Sequence, residues 1–197
     1  FPTVEAHYAE AFRQNIGSIS HRSAAFRKIY QHADEQLRIL FGLPKETAVL
    51  FTGSATEIWE RAIMNTVEHE SFHLVNGSFS KKFYDFSKEL HKFAHAMHKP
   101  FGEGFDASEV EVPEYAELIC CTANETSSGV QMKAAEIHKI KKVNKDKLMM
   151  VDMVSSAPYT NLDFNLVDSA MFSVQKAFGM PAGLGVWLAN EKMLEKS

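Results

Sequence analysis

Ala48-Val-Leu-Phe-Thr-Gly-Ser-Ala-Thr-Glu-Ile-Trp-Glu-Arg-Ala-Ile-Met-Asn-Thr-Val67 reads as three consecutive pieces of backbone. Residues 48–52 are an apolar run of strand length, residues 53–56 a turn of small residues, and from Glu57 onward Ile58, Ala62, Ile63 and Val67 recur at helical spacing. A strand that stops at such a turn and opens directly into a helix is the building unit of an α/β sheet. The surrounding sequence extends the pattern. Upstream, Phe26, Ile29, Ala33, Leu37 and Leu40 predict a long amphipathic helix within residues 20–43, ended by Gly42 and Pro44. Downstream, residues 72–76 read as a strand and residues 77–80 as its turn, with Phe83, Phe86, Leu90 and Phe93 on one face of the following helix. Residues 118–122, the turn at 124–129 and a helix carrying Ile137, Ile140 and Val143 repeat the order. Residues 147–154, 170–175 and 184–189 add three more strand-length runs. Strands alternating with helices predict an α/β fold, a mostly parallel sheet of about seven strands with helices on both faces.

Composition narrows what such a sheet could do. A chain of 197 residues with 45% hydrophobic content can bury one sizeable core. Net charge is −4 with a pI near 6.1, so no basic face calls for nucleic acid and no polybasic stretch for a membrane; the expected partner is a small molecule. Cys120 and Cys121 are adjacent in an apolar run, where successive strand residues point to opposite faces. They are not expected to pair, and a reducing, cytoplasmic compartment fits. No HExxH spacing or cysteine cluster predicts a metal site. No G-x-S-x-G elbow, Walker lysine or G-x-G-x-x-G occurs, which argues against serine hydrolases, nucleotide hydrolysis and dinucleotide binding. The chain opens on Phe1-Pro2 and closes on a helix-like stretch, and it reads as a piece of a longer protein.

In parallel sheets ligands bind beyond the carboxyl ends of the strands, where the unusual residues of this chain fall. Lys176 stands between an apolar run and an uncharged Gly-Pro loop, where a partly desolvated amine turns nucleophilic and suits Schiff-base formation; a strand-ending surface lysine fits the same position. Asp152 interrupts Leu148-Met-Met-Val-Asp-Met-Val154, and a buried acid wants a cation. The protonated ring nitrogen of a pyridine cofactor meets that need, as backbone N–H groups at a strand end also do. The turn holding Ser54, Ala55 and Thr56 presents backbone N–H groups and hydroxyls to a phosphate, or its hydroxyls merely cap the helix. Phe79 suits stacking on a flat ring or a place in the core, and Thr126 suits a hydrogen bond to a phenolic oxygen or a turn. His21-Arg22, beside a helix start, suits an anion or plain solvation.

Six segments carry a resemblance over nearly the whole chain: Ile19-Ser-His-Arg-Ser23, Gly53-Ser-Ala-Thr56, Asn76-Gly-Ser-Phe-Ser-Lys-Lys82, Asn124-Glu-Thr-Ser-Ser-Gly-Val130, Val151-Asp-Met-Val-Ser-Ser156 and Gln175-Lys-Ala-Phe-Gly-Met-Pro-Ala-Gly-Leu184. In order and spacing the sequence resembles the class V pyridoxal-phosphate aminotransferases. It looks most like the phosphoserine aminotransferases, with the alanine- and serine-glyoxylate branch close behind. The resemblance implies a fold type I large domain over residues 1–197, with pyridoxal 5'-phosphate as cofactor and a smaller C-terminal domain outside the chain. It implies that Lys176 forms the Schiff base and shuttles the substrate proton, Asp152 pairs with the ring nitrogen, and Thr126 lies near the ring oxygen. Ala55 and Thr56 would hold the phosphate, helped by Gln175 and Ser155, while His21 and Arg22 would reach a neighbouring subunit's substrate in a homodimer. Amino transfer between phosphoserine and 2-oxoglutarate is the implied reaction, with glyoxylate-using transfer or a non-catalytic cofactor-binding fragment as alternatives. Phe79 departs from the pattern, since phosphoserine aminotransferases usually carry tryptophan there.

Overall fold

The computed structural model describes residues 2–197. Helix α1 (Pro2–Arg13) leads through a short turn to α2 (Ala24–Phe41). The hydroxyl of Ser23 accepts the Phe26 N–H at 3.1 Å to start α2, and Gly42 closes it in the left-handed region at φ 61°, where glycine meets no Cβ penalty. There follow β1 (Ala48–Thr52), α3 (Ala55–Thr66), β2 (Glu70–Val75), α4 (Ser78–Glu89), β3 (Phe93–His98) and β4 (Leu118–Thr122). A small ribbon, β5 (Asn124–Glu125) with β6 (Val130–Gln131), precedes α5 (Ala134–Val143), β7 (Leu148–Asp152), β8 (Ser169–Ser173), β9 (Gly185–Ala189) and α6 (Glu191–Glu195).

Seven strands form one sheet in the order β1-β9-β8-β7-β4-β2-β3. Only β9 runs against the others, antiparallel to both β1 and β8. The parallel strands β4, β7 and β8 are buried along their length, as continuous apolar runs covered on both faces should be. Alternation sorts their side chains into two cores. Ile119, Cys121, Met149, Val151 and Phe172 pack with Ile137 and Ile140 of α5 and with Leu37 and Phe41 of α2. Leu118, Cys120, Met150 and Met171 pack on the opposite face with Ile58, Trp59, Ala62 and Ile63 of α3 and Phe83 of α4. Cys120 and Cys121 therefore belong to different layers.

One expectation is corrected. Phe93 does not extend the face of α4: that helix ends at Glu89, His91 takes φ 59°, and Phe93 opens the edge strand β3, lying opposite Glu70 of β2. The helical spacing of Phe83, Phe86, Leu90 and Phe93 runs across a chain reversal that carries no Gly or Pro to mark it. Among the described residues no helix is long and apolar enough to cross a membrane.

Gly185 lets β9 pass beside the turn after β1, since a Cβ there would lie 2.6 Å from the backbone carbon of Ser54 and 2.6 Å from Thr52 Oγ1. Gly185→Ala is expected to destabilise by about 1–3 kcal/mol, the usual range for overpacking, because the obstacle includes backbone that cannot rotate away. Denaturant unfolding reads this directly, and an unchanged midpoint would show that the turn moves freely.

Candidate active site

The carboxyl ends of β1, β2, β4, β7 and β8 open on one cleft of about 210 Å³. At one wall α3 begins. Ser54 caps it, its hydroxyl accepting the Glu57 N–H at 3.1 Å, while Glu57 reaches back to accept the Gly53 N–H at 2.8 Å. This arrangement leaves the N–H groups of Ala55 and Thr56, both lining the cleft, without partners among the described residues. A helix start with free N–H groups favours an anion. Ser54 itself does not line the cleft, so its hydroxyl serves the helix and not the cavity.

Asp152 ends β7 and is 3% exposed. Its Oδ1 accepts the Val154 N–H at 2.8 Å, and no cation is bonded to it among the described residues. Burial pushes its pKa up to about 7; the Val154 hydrogen bond works against this, the charge of Glu125 adds to it, and the nearby Trp59 indole opposes it most weakly. The Trp59 N–H is itself without a partner of ordinary geometry, as is the Thr122 hydroxyl directly across the sheet from Asp152. Both line the cleft. Orphaned polar atoms beside an uncompensated acid mark a place for a polar ligand.

Lys176 lies in the turn after β8, at the cleft edge. It is exposed, not partly desolvated as expected, because the strand ends at Ser173, burial ends one residue later at Val174, and Gln175 is already past the sheet. Its Nζ has no hydrogen bond or ion pair among the described residues. Gln175, Phe79 and Thr126 line the cleft too, with Phe79 45% exposed on the first turn of α4. Ser155 also lines it, but its hydroxyl donates to the Asn124 carbonyl at 2.8 Å and accepts from the Asn124 amide at 3.0 Å. His21 and Arg22 are not brought to the cleft; they sit in the exposed turn before α2.

Sequence reasoning missed Trp59, Thr122 and Val154 as lining residues. Trp59 follows Ala55 by one helical turn on the same face, a spacing that was available, and it is held flat against Phe83 with centroids 5.3 Å apart. Among the described residues no group of three His, Cys, Asp or Glu could hold a metal. The donor set is instead that of a flat cationic ring with an anionic tail: free helix N–H groups at one wall, a buried carboxylate, an exposed aromatic face and an unpaired amine.

Comparison with known proteins shows what the chain is similar to. Residues 102–197 match the family model described as Aminotransferase class-V. A phosphoserine aminotransferase of Corynebacterium glutamicum is 32% identical over 171 residues, covering 86% of this chain and 44% of the relative. A serine-glyoxylate aminotransferase of Methylorubrum extorquens is 29% identical over 192 residues, covering 91% and 48%. The crystal structure of a phosphoserine aminotransferase from Cytophaga hutchinsonii is 52% identical with a TM-score of 0.97, covering 100% of this chain and 54% of that one. The chain spans about half the length of the relatives it matches. In sequence over residues 102–197 and in fold over the whole chain, the protein is similar to the class V aminotransferases, and Lys176 and Asp152 stand together on its cleft.

Proposed function

We propose that residues 1–197 are the cofactor-binding large domain of a pyridoxal-phosphate aminotransferase that transfers the amino group of phosphoserine to 2-oxoglutarate. The observation that carries this reading is an unpaired amine, Lys176, on the same cleft as a buried carboxylate without a cation, Asp152. When bound, pyridoxal phosphate supplies an aldehyde that condenses with amines and a pyridine ring that takes up electrons from a substrate α-carbon. The free N–H groups of Ala55 and Thr56 would hold the phosphate, with Gln175 beside them. Asp152 would hold a proton on the ring nitrogen, the cation there favouring the ionised carboxylate that burial alone opposes. The exposed face of Phe79 would cover the ring, and the Thr126 hydroxyl would donate to the phenolic oxygen. The Lys176 amine, on the same cleft, would take and return a proton at the substrate α-carbon. The donor would leave as its oxo acid before the acceptor enters, a ping-pong order.

Phosphoserine is favoured over glyoxylate-linked donors by the higher identity to the Cytophaga enzyme over the whole chain. The rival reading, an alanine- or serine-glyoxylate aminotransferase, is favoured by the 29% identity to the Methylorubrum relative, close to the 32% of the Corynebacterium phosphoserine aminotransferase. A smaller C-terminal domain and a homodimer complete the proposed enzyme, with His21-Arg22 turned toward the partner.

Two experiments check this. The full-length protein assayed with phosphoserine and 2-oxoglutarate, against alanine or serine with glyoxylate, is expected to prefer the first pair. Lys176→Ala should lower turnover about 10²–10⁴-fold, the range for a positioned proton-transfer group. Preference for glyoxylate supports the rival, and no turnover with either pair leaves a cofactor-binding role. Second, the raised Asp152 pKa means that the cofactor-free folded state holds a proton which the unfolded chain releases near the ordinary value of 3.8. Stability from this group is therefore lost as pH rises from about 4 towards 7. The melting temperature of the wild type relative to Asp152→Asn should fall across that window, whereas a constant difference would mean that the carboxyl is not protonated in the fold.

A further inference from the structure

Between α4 and the β5–β6 ribbon runs a second set of contacts that touches the cleft without lining it. Glu125 is fully buried, at 0% exposure. Its Oε2 accepts both the Ser80 N–H at 2.7 Å and the Ser80 hydroxyl at 2.8 Å. Its Oε1 accepts the Ser127 hydroxyl at 2.7 Å and the Ser127 N–H at 3.3 Å. The Ser127 oxygen in turn accepts the Ser78 N–H at 2.7 Å. A buried carboxylate given four donors at the positive end of a helix remains charged, and its pKa lies below the usual value although burial opposes this.

The sequence arithmetic of these bonds is what matters. Ser78 and Ser80 flank Phe79, Glu125 and Ser127 flank Thr126, and the flanking residues are bonded pairwise across the gap: Ser80 to Glu125, Ser78 to Ser127. Phe79 and Thr126, both on the cleft, are thus each held between two tethered neighbours. Gly77 completes the fit, because any Cβ there would overlap the Glu125 side chain and lie 2.6 Å from Ser127 Oγ.

We infer that Glu125 and Ser127 act as a clamp that sets the aromatic face of Phe79 relative to the Thr126 hydroxyl, and so fixes the orientation of the ring bound between them. Neither is a catalytic residue; both are positioning residues. The inference rests on the reading of the cleft as a pyridoxal-phosphate site.

The test titrates pyridoxal 5'-phosphate into cofactor-free full-length protein, reading the dissociation constant from absorbance and the orientation from circular dichroism in the cofactor band. Wild type, Ser127→Ala, Glu125→Ala and Glu125→Gln are compared. Ser127→Ala, which removes no buried charge, is expected to weaken binding about tenfold and to diminish the dichroic band, with the melting temperature of the cofactor-free protein little changed. Glu125→Ala should do more. Glu125→Gln keeps one oxygen for Ser80 and an amide for Ser127, and should restore most of the band. If Glu125→Ala does not fold, Ser127→Ala and Glu125→Gln still decide. Ser127→Ala with wild-type affinity and dichroism overturns the clamp while leaving the proposed cofactor in place. A wild-type protein that binds no pyridoxal phosphate overturns both.

Discussion

A carboxylate sealed at the end of the middle strand, with no cation to meet it, is the constraint around which this molecule is arranged. Asp152 terminates β7, the fourth of seven strands, and lines the cleft while only 3% exposed. Its surroundings push the proton on and hold it there at a pKa of about 7. That condition is costly for a charged group in an isolated chain and favourable once a cation arrives. The Trp59 and Thr122 atoms left without partners beside it make the same point from the neutral side.

The topology supplies what surrounds the carboxylate. Because the parallel strands end together, four connections from distant parts of the sequence meet around it at one rim, and each contributes a different chemical type. The α3 connection offers N–H groups, the α4 connection an aromatic face, the β5–β6 ribbon a hydroxyl, and the turn after β8 an amine. Glycine at 77 and 185 is required not for backbone freedom but because neighbouring groups approach too closely for a Cβ. Both sit where two of these connections press together.

Most of this was legible from residue order because buried parallel strands are continuous apolar runs and their turns are small residues. Leu118 to Thr122 and Leu148 to Asp152 announced themselves in this way, and Asp152 was conspicuous as the one acid in its run. Other features were hidden by ambiguity. The strand β3 alternates alanine with histidine and methionine at a sheet edge, and Phe93 fell in phase with the preceding helix. The exposure of Lys176 was misjudged because an apolar run says nothing of where the sheet stops. Ser54 and Thr56 are alike in sequence, yet only the geometry of the cap shows that the first serves the helix and the second faces the cleft. The bonds from Glu125 to Ser80 cross 45 residues, a distance over which no local pattern carries information.

The central claim is that a pyridoxal-phosphate aldehyde is captured by the amine of Lys176. Borohydride reduction of the full-length protein mixed with pyridoxal 5'-phosphate, followed by proteolysis and mass spectrometry, tests it at the level of the atom. The reduced cofactor mass should be found on the peptide containing Gln175-Lys176-Ala177, and on no other lysine in comparable yield. Label spread over surface lysines, or confined to a peptide lacking Lys176, would contradict the account.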